Sequence, residues 1–292
     1  MIPSFYKSGN GDFTIIEGDC VETLSKFRFQ FDMIFADPPY FLSSGGLSCH
    51  AGKAVCVDKG EWDKQKSVAE MDDYNYRWLE SCRSHLKDDG TIWVCGTYHN
   101  IFSIGCQMAR LGFKILNVIT WAKRNPPPNL SCRYFTHSAE FVIWARKSVN
   151  VPHYFNYELM KVLNDNVQMK DVWHLPSIAA WEKDCGKHPT QKPLCLLVRA
   201  ILASTKENSW ILDPFSGSGT TGIAANLLNR RYLGLEICRE YLDMSKNRRQ
   251  SLDIPEIRSK HIEKLIAAKA APAHVFGEVV GESEPSYGVP WL

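Results

Sequence analysis

Residues 210–221 read WILDPFSGSGTT. Trp210–Asp213 has the short apolar run of a buried strand and Thr220 to Asn229 the pattern of a helix, so Asp213 to Thr221 is a tight strand-to-helix turn. Gly217 and Gly219 let such a turn bend sharply and let another group approach its backbone. The free N–H groups of the following helix turn favour a carboxylate or a phosphate. The run lacks the Gly-Lys-Ser/Thr ending of a phosphate-cradling loop and the third glycine of the dinucleotide fingerprint. It sets a strand–turn–helix unit with a ligand-facing turn and leaves the ligand open.

Working outward, Arg231–Glu236 is a strand and Glu240 to Leu252 a helix, which places Glu236 at a strand end one strand–helix–strand unit after the turn. An acid there can accept hydrogen bonds from ribose hydroxyls, which points to an adenosine-containing cofactor. On the other side, HPTQKP (188–193) precedes a helix from Leu194 to Thr205. Further out, Thr14–Glu17 and Phe31–Ala36 read as strands. Tyr74, Trp78, Leu79, Cys82 and Leu86 form a helical stripe, followed after Asp89-Gly90 by the strand Thr91–Gly96. A helix from Ile101 to Leu111, closed by Gly112, precedes strands Phe113–Ala122 and Glu140–Arg146. This alternation implies an α/β fold with a mostly parallel twisted sheet and helices on both faces. Phe41 to about Lys66 is expected to be a long loop, with Trp62 in it. After Pro255 come an Ala/Lys helix candidate and a Gly/Glu/Pro/Ser-rich tail.

Phe31–Ala36 ends at Asp37-Pro38-Pro39-Tyr40, where two prolines stop a central strand. Ligands in open α/β sheets sit at the carboxyl ends of strands. Asp37 offers a carboxylate, Pro38 a backbone carbonyl made rigid by Pro39, and Tyr40 an aromatic face. Two convergent acceptors and a stacking ring suit the exocyclic amine of a flipped planar base.

Together, Asp37 to Tyr40 and Phe215-Ser-Gly-Ser-Gly219 resemble the paired signature of the amino-group DNA methyltransferases that use S-adenosylmethionine. The order, with D-P-P-Y first and HPTQKP just before the glycine turn, is similar to the β-class permutation, over roughly residues 14 to 252. DPPYFLSSGG, the block from Trp121 to Ser138 and KHPTQKP further resemble the DpnA-type second adenine methyltransferases of GATC restriction–modification systems. The resemblance implies a Rossmann-like S-adenosylmethionine-dependent fold. It divides the chain into a catalytic domain over 1–254, with a target-recognition insertion about 123–187 and a mobile loop about 41–66, and an extension over 255–292. It assigns Asp37, Pro38, Pro39 and Tyr40 to the target base. It assigns Asp213, Phe215, Ser216, Gly217, Ser218, Gly219 and Thr220 to the cofactor loop, Glu236 to the ribose, Asp19 to the cofactor's adenine, and Thr190 and Lys192 to its methionine end, with Asp37 close by. Asp19 reads equally as a helix N-cap. The implied product is N6-methyladenine in GATC. Implied partners are double-stranded DNA, single-stranded DNA as a further substrate, a second copy in a homodimer and an associated restriction endonuclease.

For the DNA itself, Lys123, Arg124, Arg133, Arg146 and Lys147 stand against Glu140 alone, a local positive excess interleaved with Asn129, Tyr134 and His137. Basic groups meet phosphate, while Arg and Asn read base edges, with Arg133 and Asn129 the sharpest candidates. The whole chain has 292 residues, is 45% hydrophobic and 23% charged, and carries a formal charge of only +2, so any polyanion surface must be local. No apolar run is long enough to span a bilayer and the first residues lack a signal-peptide pattern, so a cytoplasmic protein without membrane contact is expected. The ten cysteines form no C-x-x-C pair and are expected to be reduced and mostly buried. His137, His153, His174 and His188 lack metal spacing, and no metal is expected. Tyr154, Phe155 and Tyr157 read as a packing cluster. Alternatives are an N4-cytosine enzyme, whose catalytic block usually begins with Ser, action on RNA or a glutamine amide, and a noncatalytic DNA-binding partner with the same fold.

Overall fold

The computed structural model describes residues 3–41, 47–50, 53–56, 67–123, 126, 128–129, 131–186 and 188–276. The first part of the chain gives β1 (Tyr6–Lys7), β2 (Phe13–Glu17), α1 (Cys20–Leu24), β3 (Phe31–Ala36), β4 (Leu47–His50) and β5 (Lys53–Cys56). Then follow α2 (Val68–Ser84), β6 (Leu86–Gly96), α3 (Ile101–Arg110), β7 (Lys114–Ala122) and β8 (Ala139–Arg146). The last part gives α4 (Tyr157–Val162), β9 (Val172–Trp173), α5 (Leu194–Ser204), β10 (Trp210–Asp213), α6 (Thr220–Leu227), β11 (Arg231–Glu236), α7 (Arg239–Ser251) and α8 (Pro255–Ala267).

Nine of the described strands form one sheet in the order β1-β2-β11-β10-β3-β6-β8-β7-β9, and β4 pairs with β5 as a separate hairpin. From β2 to β6 every neighbour is parallel, while β1 and β8 run against the rest. One face is covered by α1, α2 and α3 and the other by α5, α6, α7 and α8. Helix α5 buries ten of its eleven residues because it lies between the sheet and further helices. Each fully buried Leu or Ile there contributes about 1.5–3 kcal/mol. The chain leaves β10 toward β11 and leaves β3 toward β6, in opposite directions across the sheet. Adjacent β10 and β3 therefore flank a topological switch point, where such sheets bind ligands.

Several expectations are corrected. Leu86 begins β6 rather than ending a helix: Phe31 pairs with Leu86 but Met33 with Thr91, so residues between them bulge from the strand. A buried Leu satisfies a helical stripe and a strand start equally, so its period could not separate them. Gly90 sits in that bulge because a Cβ would meet the Leu86 side chain and the Asp32 carbonyl. The expected long loop from Phe41 contains the β4–β5 hairpin, while Trp62 lies outside the described residues. The insertion expected over about 123–187 includes β8 and β9, which are strands of the main sheet. In the extension expected from 255, Ile262, Leu265, Ala270 and Phe276 pack into the main core, and 277–292 lie outside the described residues. Four of the eight described cysteine side chains are buried, so burial is not the general case, and all eight are free. No helix among the described residues is long and apolar enough to cross a membrane.

Candidate active site

The carboxyl ends of β2, β11, β10 and β3 carry Gly18-Asp19, Glu236, the Asp213–Gly219 turn and Asp37–Tyr40 respectively. They lie around one cavity of about 400 Å³, whose walls include Asp19, Asp37, Pro39, Phe41, Tyr74, His188, Thr190, Phe215, Gly217, Glu236 and Tyr241, while Pro38 and the buried Tyr40, whose ring centre lies 5.2 Å from Lys192 Nζ, are not among them. A small recess beside it is lined by Asp37, Thr190, Lys192, Asp213, Phe215, Ser216, Gly217, Ser218 and Thr220. Gly219 lines neither space. It caps α6 with a φ of +75°, and a Cβ there would strike Ser245.

Buried hydrogen bonds fix the glycine turn. Asp213 accepts from the Phe215 amide at 3.0 Å and from the Thr221 hydroxyl at 2.6 Å, and burial pushes its carboxyl up to about 7. The Ser216 hydroxyl bonds Tyr232 at 2.8 Å. Buried Arg248 donates through Nη1 to the Ser218 carbonyl, the Ser218 hydroxyl and the Thr220 hydroxyl at 2.8, 3.0 and 2.8 Å. Burial drives its guanidinium down to about 10. Asp213, Ser216, Ser218 and Thr220 thus build the turn from behind, while Phe215 and Gly217 face the larger cavity. Gly217, at φ +49°, lies where a Cβ would be 3.0 Å from the His188 ring, so the close approach expected of this glycine is to His188.

Glu236 accepts from the Gly217 amide at 2.7 Å and the Cys238 amide at 2.9 Å, and burial raises its pKa. Each carboxylate oxygen retains a further lone pair. Asp19 both caps α1, accepting from the Glu22 amide at 3.0 Å, and lines the cavity. Carboxylates beside the rings of Phe215, Tyr74 and Tyr241 suit the hydroxyls and flat base of an adenosine, and this donor set fits S-adenosylmethionine.

On the β3 side, the Tyr40 hydroxyl donates to Asp37 Oδ1 at 2.8 Å and Lys192 Nζ to Asp37 Oδ2 at 2.5 Å. Asn100, fully buried, donates to the Pro39 carbonyl at 3.3 Å and accepts from the Thr97 amide, tying the proline turn to the end of β6. Phe41 adopts φ +56°, a left-handed conformation uncommon for a bulky residue, and its ring meets Tyr74 edge-on at 5.5 Å. Burial raises the Asp37 pKa against the opposing pull of Lys192 and Tyr40. Burial works against the Lys192 ammonium, but Asp37 and Glu140 outweigh it and its pKa is raised.

The expected positive excess around Lys123–Lys147 does not form one patch. Lys123 is ion-paired with Glu140 at 2.5 Å, whereas Arg146 and Lys147 lie at the far end of β8, bonded to Val149 and Leu86 carbonyls. An eight-residue strand separates the two ends by roughly 25 Å. Asn129 bonds within its own loop, donating to the Tyr134 carbonyl and accepting from Ser131. Arg133 is exposed, and Arg124 lies outside the described residues. Tyr134 and Phe135 are 60% and 96% exposed, and His137 stacks on Tyr98 at 4.5 Å, joining this loop to the turn after β6. Phe155 packs on Trp144 at 5.4 Å, and the Lys206 ammonium lies 5.3 Å from the Tyr154 ring centre.

Sequence reasoning passed over Asn100, Tyr241, Arg248 and Glu140 as site residues. Tyr241 had a signal, since it falls in the first turn of the helix that follows Glu236. Glu140 had one too, as the lone acid in a basic stretch. A buried Asn or Arg acting on backbone across the fold leaves no local pattern.

A family model for DNA methylases of the N6/N4 type matches residues 31–247. The chain is 52% identical over 265 residues to the type II methyltransferase M2.MboI of Moraxella bovis, covering 90% of this chain and 97% of that protein. It is 54% identical over 236 residues to the type II methyltransferase M2.DpnII of Streptococcus pneumoniae, covering 80% and 88%. The crystal structure of an M1.HpyAVI–SAM complex superposes with a TM-score of 0.62 at 27% identity, over 81% of this chain and 98% of that one. The PvuII cytosine-N4-specific DNA methyltransferase superposes at 0.65 over 83% of this chain and 86% of that one, but at 20% identity it shares the fold alone. With the Asp37 and Gly217 turns meeting at one cavity and this match over most of its length, the chain belongs to the N6/N4 DNA methylase family.

Proposed function

We propose that the protein methylates the exocyclic N6 of adenine within GATC in DNA, taking the methyl group from S-adenosylmethionine. The observation that carries this reading is the position of Asp37, whose carboxylate lies on the wall of the cavity that also holds Glu236 and Gly217. Bound S-adenosylmethionine supplies a methyl carbon already activated by a sulfonium, so the protein has mainly to align and desolvate the amine. Asp37 and the Pro38 carbonyl accept hydrogen bonds from that amine as its nitrogen gains positive charge, and the Tyr40 ring supports the flipped base. Rigid prolines and Asn100 hold both acceptors in place before the base arrives.

Asp37, where N4-cytosine enzymes usually carry Ser, supports adenine over cytosine. The DpnA-type runs noted in the sequence support GATC. Arg133 and the exposed rings of Tyr134, Phe135 and Tyr98 suit a DNA strand whose bases stack on aromatic faces. That surface also favours single-stranded DNA as a second substrate. Placed with its type II relatives, the enzyme would protect its sequence from a companion endonuclease.

The test is transfer of labelled methyl to three duplexes and one single strand: GATC, a scrambled site, GATC with 2-aminopurine in place of adenine, and unpaired GATC. Label is expected in the first and last and absent from the other two. Equal label in the scrambled duplex would overturn the site, and label in the 2-aminopurine duplex would overturn the acceptor.

A further inference from the structure

Lys123 and Glu140 form the neck of the loop spanning 123–138. They face each other where β7 and β8 part, next to the Trp121–Glu140 register pair, and the Lys123 amide bonds the Ser138 carbonyl at 2.8 Å. Lys123 Nζ meets Glu140 Oε1 at 2.5 Å. The other carboxylate oxygen, Oε2, lies 3.8 Å from Lys192 Nζ, which in turn bonds Asp37 at 2.5 Å. Four charges of alternating sign thus run from the loop neck to the catalytic carboxylate, and the Lys192 side chain between the two acids is only 8% exposed. Charges this close and this dry act on each other far more strongly than surface pairs do.

We propose that Glu140, anchored by Lys123, is a positioning residue that acts through Lys192 on the Asp37 carboxylate. This rests on the functional reading above. One ammonium shared between two carboxylates holds each less tightly than it would hold one alone. Glu140 therefore keeps Lys192 charged and in place while leaving Asp37 basic enough to accept the amine's hydrogen bonds. The same arrangement gives Lys123 a role other than phosphate contact. Among the described residues, Asp37 also acts on the Tyr40 hydroxyl, the Cys95 thiol on β6 and Asp213 at the end of β10, while His188 lines the same cavity and recess and Asp19 and Glu236 stand across the cavity. Burial pushes both Tyr40 and Cys95 well above their ordinary ranges, so they stay neutral, and Asp213 belongs to the glycine turn.

The sign is opposite for the two ends of the chain. Glu140→Gln removes a negative charge near Asp37, so Asp37 becomes more acidic, the acid limb of the kcat profile moves down by roughly 0.5–1 pH unit, and kcat falls severalfold. Lys123→Gln leaves Glu140 unbalanced and moves the limb up. Carboxyl-labelled aspartate NMR, with the Asp37 signal assigned by Asp37→Asn, reads the same two shifts without turnover, so it remains decisive even if the wild-type enzyme transfers no methyl to DNA. That latter result would strike the proposed function and not this inference. Opposite shifts for the two variants, with cofactor affinity and the salt dependence of DNA binding unchanged, are expected. An unmoved Asp37 signal in either folded variant, or a lower salt slope in Lys123→Gln, overturns the proposal; should one variant fail to fold, the other decides.

Discussion

The turn after β10 and the turn after β3 face the same cavity but are held by different forces. Around the first, Asp213, Arg248 and Tyr232 hydrogen-bond to backbone and hydroxyl groups of the turn itself. Around the second, Asp37 is gripped by Lys192, which Glu140 and Lys123 back in series, and the prolines are pinned by Asn100. The glycine turn is held by the hydrogen bonds of three buried side chains, Asp213 at its start, Tyr232 on β11 and the Arg248 guanidinium on α7, each made to the turn's own backbone or hydroxyls. A carboxylate that must respond to charge on a passing amine is served by other charges. Rigidity on one side and charge on the other are thus built from different residues, and the two sets meet at the cavity wall and in the recess that Asp37 shares with Asp213.

The largest effect is expected at Asp37. Asp37→Ala should lower methyl transfer by ~10²–10³-fold or more while leaving S-adenosylmethionine affinity nearly unchanged, measured by single-turnover transfer and by calorimetry. Equal loss of both would mean that the two turns are not independent. Next in size, Arg248→Met orphans three buried acceptors and should cost about 2–4 kcal/mol of stability, seen as a lower urea midpoint, with weaker cofactor binding. It should leave the pH profile of the residual activity alone.

Asp213 gives the glycine turn a pH dependence of its own. Its folded pKa, about 7, lies above the ordinary carboxyl value, so the native state prefers it protonated. The stability it contributes is complete below about pH 4 and is lost as the pH rises toward 7. Asp213→Asn, which cannot ionise, should therefore gain on the wild type across that window and run parallel to it above. Urea midpoints at a series of pH values would show it, and parallel curves throughout would place the charge elsewhere. The smallest effect belongs to the loop proposed to meet DNA, where Arg133→Gln should raise the KM for DNA severalfold. It should also lower the salt slope of binding by about 1 at constant kcat.

The strands and helices that form the cleft were legible because their periods and their punctuation agree. Phe31–Ala36, Trp210–Asp213 and Arg231–Glu236 lie where their apolar runs and following turns place them. Leu86 was misread because burial on either element gives it the same hydropathy. The cofactor turn was legible as a motif, yet its division of labour was not: nothing local says that Asp213 faces inward to Thr221 while Glu236 lines the cavity. The DNA side was read from a charge count, and a count carries no direction. It could not show that one strand separates Lys123 from Lys147, or that Glu140 turns Lys123 inward.

Nucleoside analysis of a GATC duplex incubated with the protein and S-adenosylmethionine reads both the acceptor atom and the role of Asp37. N6-methyladenine at the GATC adenine, formed at least ~10²-fold more slowly by Asp37→Ala, is the predicted result; N4-methylcytosine, or N6-methyladenine formed at the wild-type rate by Asp37→Ala, would contradict it.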